Sequence, residues 1–402
     1  MGQRGARRRT RGGHVAMLLE NNPYPADVRV RREAGSLVRH GYEVTVVAPR
    51  GPGQPARETV EGVQVRRYRL PATPPTPLGY LAEYLIANLQ LHVRGIAELL
   101  RGARVIHLHN PPDTLFPLAA VARAIGRRVV YDQHDLAPEL MRLKFGDSAL
   151  VRLALLMERA TFRVANLVLV PNESQRELAL ERGRVPPERL GVVRNGPPAE
   201  TLVGSPNGRD GRLVDPHLVF LGSMESQDGV DALPLVLSEL AARHELPEAR
   251  LTIIGEGSRR ENVARAFARA GLADQVVFTG RVEADEVPRL VANADICLDP
   301  ADGNGLNHRS TMVKIAEYMA AAKPVVAHSL VETERTAGPA ALYARCGDPA
   351  ELAAQVARLA GEPELRRKLG QLGLERVREL TWERSEAELL RAYASAEAGQ
   401  SG

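Results

Sequence analysis

Residues 294–329, ADICLDPADGNGLNHRSTMVKIAEYMAAAKPVVAHS, constrain the fold more than any other stretch, because they spell a strand, a helix and a second strand in succession. Residues 295–298 and 324–327 are short apolar strands. Between them Met312, Ile315, Ala316 and Met319 recur at i, i+3, i+4 and i+7, the spacing of one helical face. A polar, glycine-containing loop precedes that helix. Ser310 is its natural N-cap, so the first backbone N–H groups open toward the loop, with Thr311 and Met312 at the same end, and make an anion site suited to phosphate. Glu317 falls seven residues beyond the cap, roughly 10 Å along the axis at about 1.5 Å per residue. That is about the distance from a distal phosphate to a ribose, whose hydroxyls a carboxylate can accept. Lys314 stands three residues before Glu317, and the two equally suit an ordinary ion pair on a helix surface.

At 402 residues and 44% hydrophobic content, the chain is long enough for two domains with separate cores. Arg4, Arg7, Arg8, Arg9 and Arg11 crowd the N-terminus without an acid, whereas the formal net charge is only +4, so the rest is nearly neutral. A neutral body lacks the basic stripe that phosphate backbones demand, which argues against broad nucleic-acid binding. Residues 1–13 read as a basic disordered tail whose arginines also suit an anionic membrane surface. Cys297 and Cys346 are the two cysteines, and no ligand spacing surrounds them, so neither a disulfide framework nor structural zinc is expected. No run approaches about 18 apolar residues and no apolar signal core follows the arginines, so the expected location is cytoplasmic, peripheral at most to the inner face of the membrane.

Residues 14–20 have a buried-strand pattern, NNPYPADVR is a loop, a helix runs to a stop at Gly41, and YEVTVVAP is the next strand. That order opens a doubly wound α/β domain, in which ligands gather at the carboxyl ends of strands. Asp27 and Arg29 in the first loop, His109 at the end of RVIHLHN, Asp113 as N-cap of the following helix, and Glu139 are the acceptor-side candidates. His107 and His109 share a strand face, but no third ligand follows at short spacing and no metal site is expected. In RRVVYDQHDLAPEL, Asp132, His134 and Asp135 fall at a strand's carboxyl end, where a histidine can donate to a sugar hydroxyl or a leaving phosphate. Residues 78–100 form a long amphipathic helix that could lie on a membrane, but Glu83, Glu98 and the interspersed polar residues suit a domain surface equally well and plain core packing is expected; SQRELALERG opens a helix at Ser174. The Pro/Gly-rich residues 197–212 read as a linker, which divides a first domain (14–196) from a second (197–380), and a last amphipathic helix spans 381–396. Gly222, Gly255 and Gly257 close strands of the second domain. The Gly255–Gly257 pair lacks the third glycine of a dinucleotide fingerprint, Arg260 standing there, which discounts a dehydrogenase.

The run STMVKIAEYMAAAKPVVA resembles the C-terminal signature of family-4 glycosyltransferases, in the variant that carries a lysine three residues before the glutamate, and the resemblance extends over about residues 14–393. It implies the GT-B fold: two Rossmann-like, doubly wound α/β domains facing across a cleft, RNGPP at the hinge, and a C-terminal helix that crosses back to the first domain, anchored by Trp382. It implies a hexosyltransferase-type enzyme that moves a sugar, with retention of configuration, from a UDP- or GDP-linked donor to a cell-envelope glycan or lipid-linked acceptor, with no cofactor and no essential metal. The resemblance carries the ribose contact to Glu317, the donor-sugar histidine to His134, and the nucleobase to backbone around Arg281 and Val282. The helix-start N–H groups and Lys314 would then stabilise charge on the departing diphosphate.

The sequence departs from the family in three places. The first loop lacks the usual paired glycines. The turn Gly222–Gly229 holds Glu225 and Asp228 where the family supplies an arginine and a lysine, and Arg309 occupies the place of a first glutamate eight residues before Glu317. One position loses an acid where another loses bases, which suggests that Arg309 has taken over the phosphate charge. The same departures suit a non-catalytic nucleotide-sugar-binding protein of the same fold, and a GT-B epimerase is a further alternative. If the exchange holds, Arg309→Ala weakens nucleotide-sugar binding, measured by calorimetry, roughly tenfold or more.

Overall fold

The computed structural model describes residues 12–71, 76–202, 209–242 and 246–398. Most of the basic tail, the centre of the Pro-rich segment before residue 76 and the centre of the expected linker therefore lie outside the described residues. The chain divides into two units, Met1–Val193 with Glu386–Gly402, and Arg194–Ser385.

Unit 1 is built on an eight-stranded sheet: β1 (His14–Leu18), β2 (Glu43–Pro49), β3 (Arg57–Val60), β4 (Val63–Tyr68), β5 (Val105–His109), β6 (Arg128–Asp132), β7 (Leu167–Val170) and β8 (Leu190–Val192). Their order across the sheet is β3-β4-β2-β1-β5-β6-β7-β8, parallel except where β3 pairs antiparallel with β4. The β3–β4 hairpin, turned by Glu61 and Gly62 at positive φ, has no counterpart in the pattern reading, because β3 is a half-exposed edge strand without apolar alternation. The middle strands are buried on both faces, as a parallel sheet covered by helices requires. The order in which strands are added reverses between β1 and β5, so the carboxyl ends at Leu18 and His109 flank the switch point at which such sheets bind ligands.

Unit 2 has a six-stranded, all-parallel sheet of β9 (His217–Leu221), β10 (Arg250–Ile254), β11 (Val276–Gly280), β12 (Ile296–Asp299), β13 (Val325–His328) and β14 (Ala341–Ala344), in the order β11-β10-β9-β12-β13-β14. Its switch point lies between β9 and β12, where Phe220 is in register with Leu298.

Three expected helix starts move. Asn172, not Ser174, caps the Glu173–Glu181 helix, its side chain accepting from Gln175 N. Asp113 does not cap the Phe116–Ala124 helix. It begins a short 3-10 turn, Asp113–Leu115, and its buried carboxylate accepts instead from the Tyr131 hydroxyl. Burial pushes that carboxyl up to about 6, against the hydrogen bond from Tyr131. The third, at Ser310, belongs to the site described below. The Pro77–Leu100 helix packs Ala87, Leu91 and Leu99 inward, but Leu81, Leu85, Leu89, Val93, Ile96 and Leu100 remain exposed, so core packing accounts for only one of its faces.

The Trp382–Ala398 helix contributes to both units. Trp382 is buried and its backbone N–H donates to Pro197 O, while Tyr393 is buried in unit 1 with its hydroxyl 2.7 Å from His107 Nδ1.

Beneath the helices of unit 1, Glu158 is bonded to Arg182 and Gln133. Burial raises its carboxyl to about 7, outweighing the attraction of Arg182. At this site the folded protein therefore holds more proton than the unfolded chain between about pH 4.5 and 7, and the stability that Glu158 contributes falls as pH rises through that window. Glu158→Gln should remove roughly 3 kcal/mol of that fall, seen as a flatter plot of Tm against pH than the parent's.

Candidate active site

Three glycines let the strand ends of unit 2 close on one another. Gly222 follows β9 at φ 145°, and a Cβ on Gly255 would stand 2.0 Å from Gly222 O. On Gly257 a Cβ would stand 2.4 Å from Met224 O, so neither position accepts a side chain without moving backbone. Gly222 N donates to Ile254 O and Gly255 N to Gly280 O. The Tyr318 hydroxyl accepts from Leu221 N at 2.8 Å and donates to Leu298 O at 3.1 Å, pinning the Val313–Ala320 helix across β9 and β12.

That helix begins later than its sequence suggests. Residues Asn307–Arg309 form a 3-10 turn, and the Ser310 hydroxyl donates back to Leu306 O. Met312 takes the N-cap position with no side-chain cap bond. Ser310 thus stabilises the preceding turn, and Glu317 lies five residues past the true cap, roughly 7–8 Å along the axis. Glu317, Thr311 and Val282 are half-buried, whereas Arg281 and Arg309 are exposed, and Arg309 donates to Gly305 O.

Lys314 is not a surface partner of Glu317. It is buried, 3.2 Å from Asp299 and 3.8 Å from Asp228, with Nζ 4.5 Å from the centroid of the Phe220 ring. A Cβ on Gly222 would meet Lys314 Nζ at 3.1 Å, so this cation borders the glycine turn. The acids of that turn are already engaged. Glu225 accepts from Ser258 N and Oγ, and Asp228 faces Lys314, with burial raising its carboxyl and the lysine opposing that rise.

In unit 1 the switch point holds a buried ionic cluster. Arg29 binds both oxygens of Asp132, at 2.8 and 2.6 Å, donates to Val193 O and lies 3.2 Å from Glu33. Asp132 Oδ2 is also 3.2 Å from His109 Nδ1 and 2.6 Å from His134 Nε2. Burial alone would raise Asp132, but Arg29, His134 and the histidine hydrogen bonds outweigh it and hold the carboxyl well below its usual range. Burial and the charge of Asp132 push Glu33 far upward against Arg29, so Asp132 carries the negative charge and Glu33 the proton. His107 and His109 are held neutral, chiefly by burial. His134 donates Nε2–H to the ionised Asp132, which leaves Nδ1 as the polar atom of its ring that does not face this carboxylate. Asn110 fixes the loop: its Oδ1 accepts from the His134 and Asp135 N–H groups, and its Nδ2 donates to Asp135 O.

Of the acceptor-side candidates, Arg29 and His109 join His134 in this cluster, and Asp27 caps the Val28–Arg39 helix by accepting from Val30 N. Arg29 and His109 are buried, so neither offers a surface contact of its own. Asp113 and Glu139 lie outside the cluster, the latter paired with Arg182. Glu33, His107, His109 and Asp132 bring potential ligand atoms within 4.8 Å of one another. The guanidinium of Arg29 already occupies the electrostatic place of a cation there, because it contacts both carboxylates. Sequence reasoning missed Glu33, four residues after Arg29, Tyr393 and Asn110. Only the i, i+4 spacing of Arg29 and Glu33 offered a local signal.

Removing Lys314 should leave Asp299 buried and unpaired. Lys314→Met is expected to destabilise the protein by roughly 3–5 kcal/mol in urea unfolding, and Asp299→Asn added to that variant should recover most of the loss.

Comparison with known proteins places this geometry. A family model described as "Glycosyl transferase 4-like domain" matches residues 26–196, and one described as "Glycosyl transferases group 1" matches residues 215–362. Arabidopsis thaliana sulfoquinovosyl transferase is 23% identical over 92% of this chain and 71% of its own. The GDP-mannose-dependent alpha-(1-6)-phosphatidylinositol monomannoside mannosyltransferase of Mycolicibacterium smegmatis is 29% identical over 77% of this chain and 80% of its own. Among solved structures, sucrose-phosphate synthase from Thermosynechococcus elongatus superposes with a TM-score of 0.77 at 18% identity, covering 97% of this chain and all of that one. Anabaena HepE in complex with UDP-glucose gives 0.69 at 17%, covering 94% and 99%. The two family models lie in tandem over the two units, and with the strand orders and structural neighbours they establish that the chain belongs to family 4 of the glycosyltransferases, hexosyltransferase-type enzymes of the GT-B fold.

Proposed function

We propose that this glycosyltransferase takes a sugar from a UDP- or GDP-linked donor and transfers it, with retention of configuration and without a cofactor or essential metal, to a glycan or lipid-linked acceptor of the cell envelope. The observation that carries the donor side is the glycine-crowded shelf of Gly222, Gly255 and Gly257 beside a helix whose start has no side-chain cap. Backbone can approach a diphosphate closely there, and the first N–H groups of the Val313–Ala320 helix are oriented to receive charge. The named relatives support the donor class: one is GDP-mannose-dependent, and HepE has been solved with UDP-glucose. The first of these acts on a phosphatidylinositol monomannoside, which supports a lipid-linked acceptor and action at the inner face of the membrane.

On this reading Glu317 accepts the ribose hydroxyls, backbone near Arg281 and Val282 receives the base, and Ser310, Thr311 and Met312 border the phosphates. Lys314 acts chiefly by cancelling Asp299 and Asp228. An incoming diphosphate near Gly222 then meets a local charge of about −1 instead of −2, and Arg309 supplies the exposed cation. As the glycosidic bond to phosphate breaks, negative charge grows on the diphosphate, where fixed N–H dipoles stabilise it without reorganisation. His134, held by Asp132, orients a sugar hydroxyl through Nδ1.

Titration calorimetry with UDP and GDP, paired with transfer assays, tests these roles. Glu317→Gln is expected to weaken binding of the preferred nucleotide roughly tenfold, the worth of one or two hydrogen bonds. His134→Asn should lower turnover while leaving nucleotide affinity within about twofold. Saturable binding by the parent with no transfer across an acceptor panel would support the non-catalytic binder instead.

A further inference from the structure

Apart from both sites, unit 1 has a cavity of about 680 Å³ between the end of the Ala149–Val164 helix and the segment that runs from Glu181 to Arg189. Its size falls within the range of ligand pockets. Five of its lining residues are arginines, 159, 163, 182, 184 and 189, against the single acid Glu181. Arg182 is committed to Glu139 and Glu158. The other four have no ion pair within the described protein, so the cavity concentrates about three uncompensated positive charges. Arg159 and Arg163 stand one helical turn apart, and Arg184 is held at φ 51°, a backbone conformation uncommon outside glycine. The wall between them is apolar, with Phe162, Val164 and Val185. Guanidinium groups that outnumber the acids beside them match the oxygen geometry of a phosphate group.

What surrounds the cavity says where that phosphate comes from. Along the helix that supplies Arg159 and Arg163, Leu150, Leu153 and Leu156 are about half exposed, at 50%, 48% and 62%, and Leu156 is itself part of the cavity rim. Leu143 and Phe145 on the adjoining Ala137–Phe145 helix are exposed too. Exposed cations accompany them: Arg152, Arg159 and Arg163 on the one helix, Arg142 and Lys144 on the other. Asp147, paired with Arg142, is the one exposed acid between residues 137 and 164. A soluble phosphoester would leave these leucines unexplained. A second copy of the chain on a two-fold axis would bury them but set arginines against arginines. An anionic bilayer meets both features at once, since its acyl boundary takes the leucines and its headgroups take the charge.

We propose that this cavity binds the phosphate headgroup of an anionic phospholipid while the Leu150–Leu153–Leu156 edge lies in the membrane interface. The proposal shares with the function above only the membrane location. Vesicle binding requires neither donor nor turnover, so its failure leaves the transferase reading intact.

Flotation of the full chain with phosphatidylcholine vesicles, with and without phosphatidylglycerol, tests it. Binding is expected only with phosphatidylglycerol, to fall roughly thirtyfold in Arg159→Gln/Arg163→Gln, to fall likewise in Leu153→Ser, and to persist in Arg289→Gln, an exposed arginine of unit 2. All substituted positions are exposed, and Tm identifies any variant that has lost its fold, in which case the single Arg163→Gln change takes its place. Equal binding to both vesicle types, equal loss in Arg289→Gln, or no vesicle binding would overturn the proposal. So would titration of glycerol 3-phosphate into the cavity without vesicle recruitment, or a lipid-free dimer that Leu153→Ser dissociates.

Discussion

The bidentate contact between Arg29 and Asp132 organises the first unit. It joins the first turn of one helix to the end of β6, reaches the chain near its exit from the unit at Val193, and fixes which of two buried carboxyls is ionised. Everything polar at this switch point follows from that assignment. Because Asp132 holds the charge, two histidine rings can converge on one of its oxygens, and His134, the less buried of the pair, is held in a fixed orientation. Buried charges of this kind contribute little net stability, but losing one partner strands the other. The cluster is better understood as a device that specifies orientation.

The second unit uses the same logic with different parts. A buried lysine joins a helix to the end of β12 through Asp299, while glycines remove the side chains that would keep neighbouring strand ends apart. In both units a cation–carboxylate pair lies at the carboxyl edge of the sheet, at the point where strand order reverses in unit 2 and one strand from it in unit 1. The positions are dictated by topology, since that edge is where parallel strands leave backbone unpaired.

The sequence made the sheet architecture legible because each inner strand is a short apolar run separated by an amphipathic helix, and burial on both faces leaves no other reading for such runs. The glycine shelf and Glu317 were legible as positions in a motif. Helix starts were not: Ser310 and Asp113 look like caps, but a 3-10 turn in front of each helix claims them, and nothing local distinguishes the two outcomes. Lys314 looked exposed because its partners, Asp299 at the end of β12 and Asp228 in the turn after β9, are distant in sequence. The half-exposed β3 carries no apolar alternation and was invisible to pattern. Ion-pair networks among residues scores of positions apart leave no periodic trace.

Tyr393 lies 286 positions beyond the His107 ring to which it is bonded. Unit 1 is thus discontinuous, opened by the stretch that ends at Val193 and sealed by a helix made after the second unit. During synthesis the whole second unit emerges while the first still lacks that seal. The N-terminal sheet must therefore wait, with a buried histidine uncovered, until the Trp382–Ala398 helix has been made, and a chain cut after Ser385 would keep its second unit entire while its first could not close.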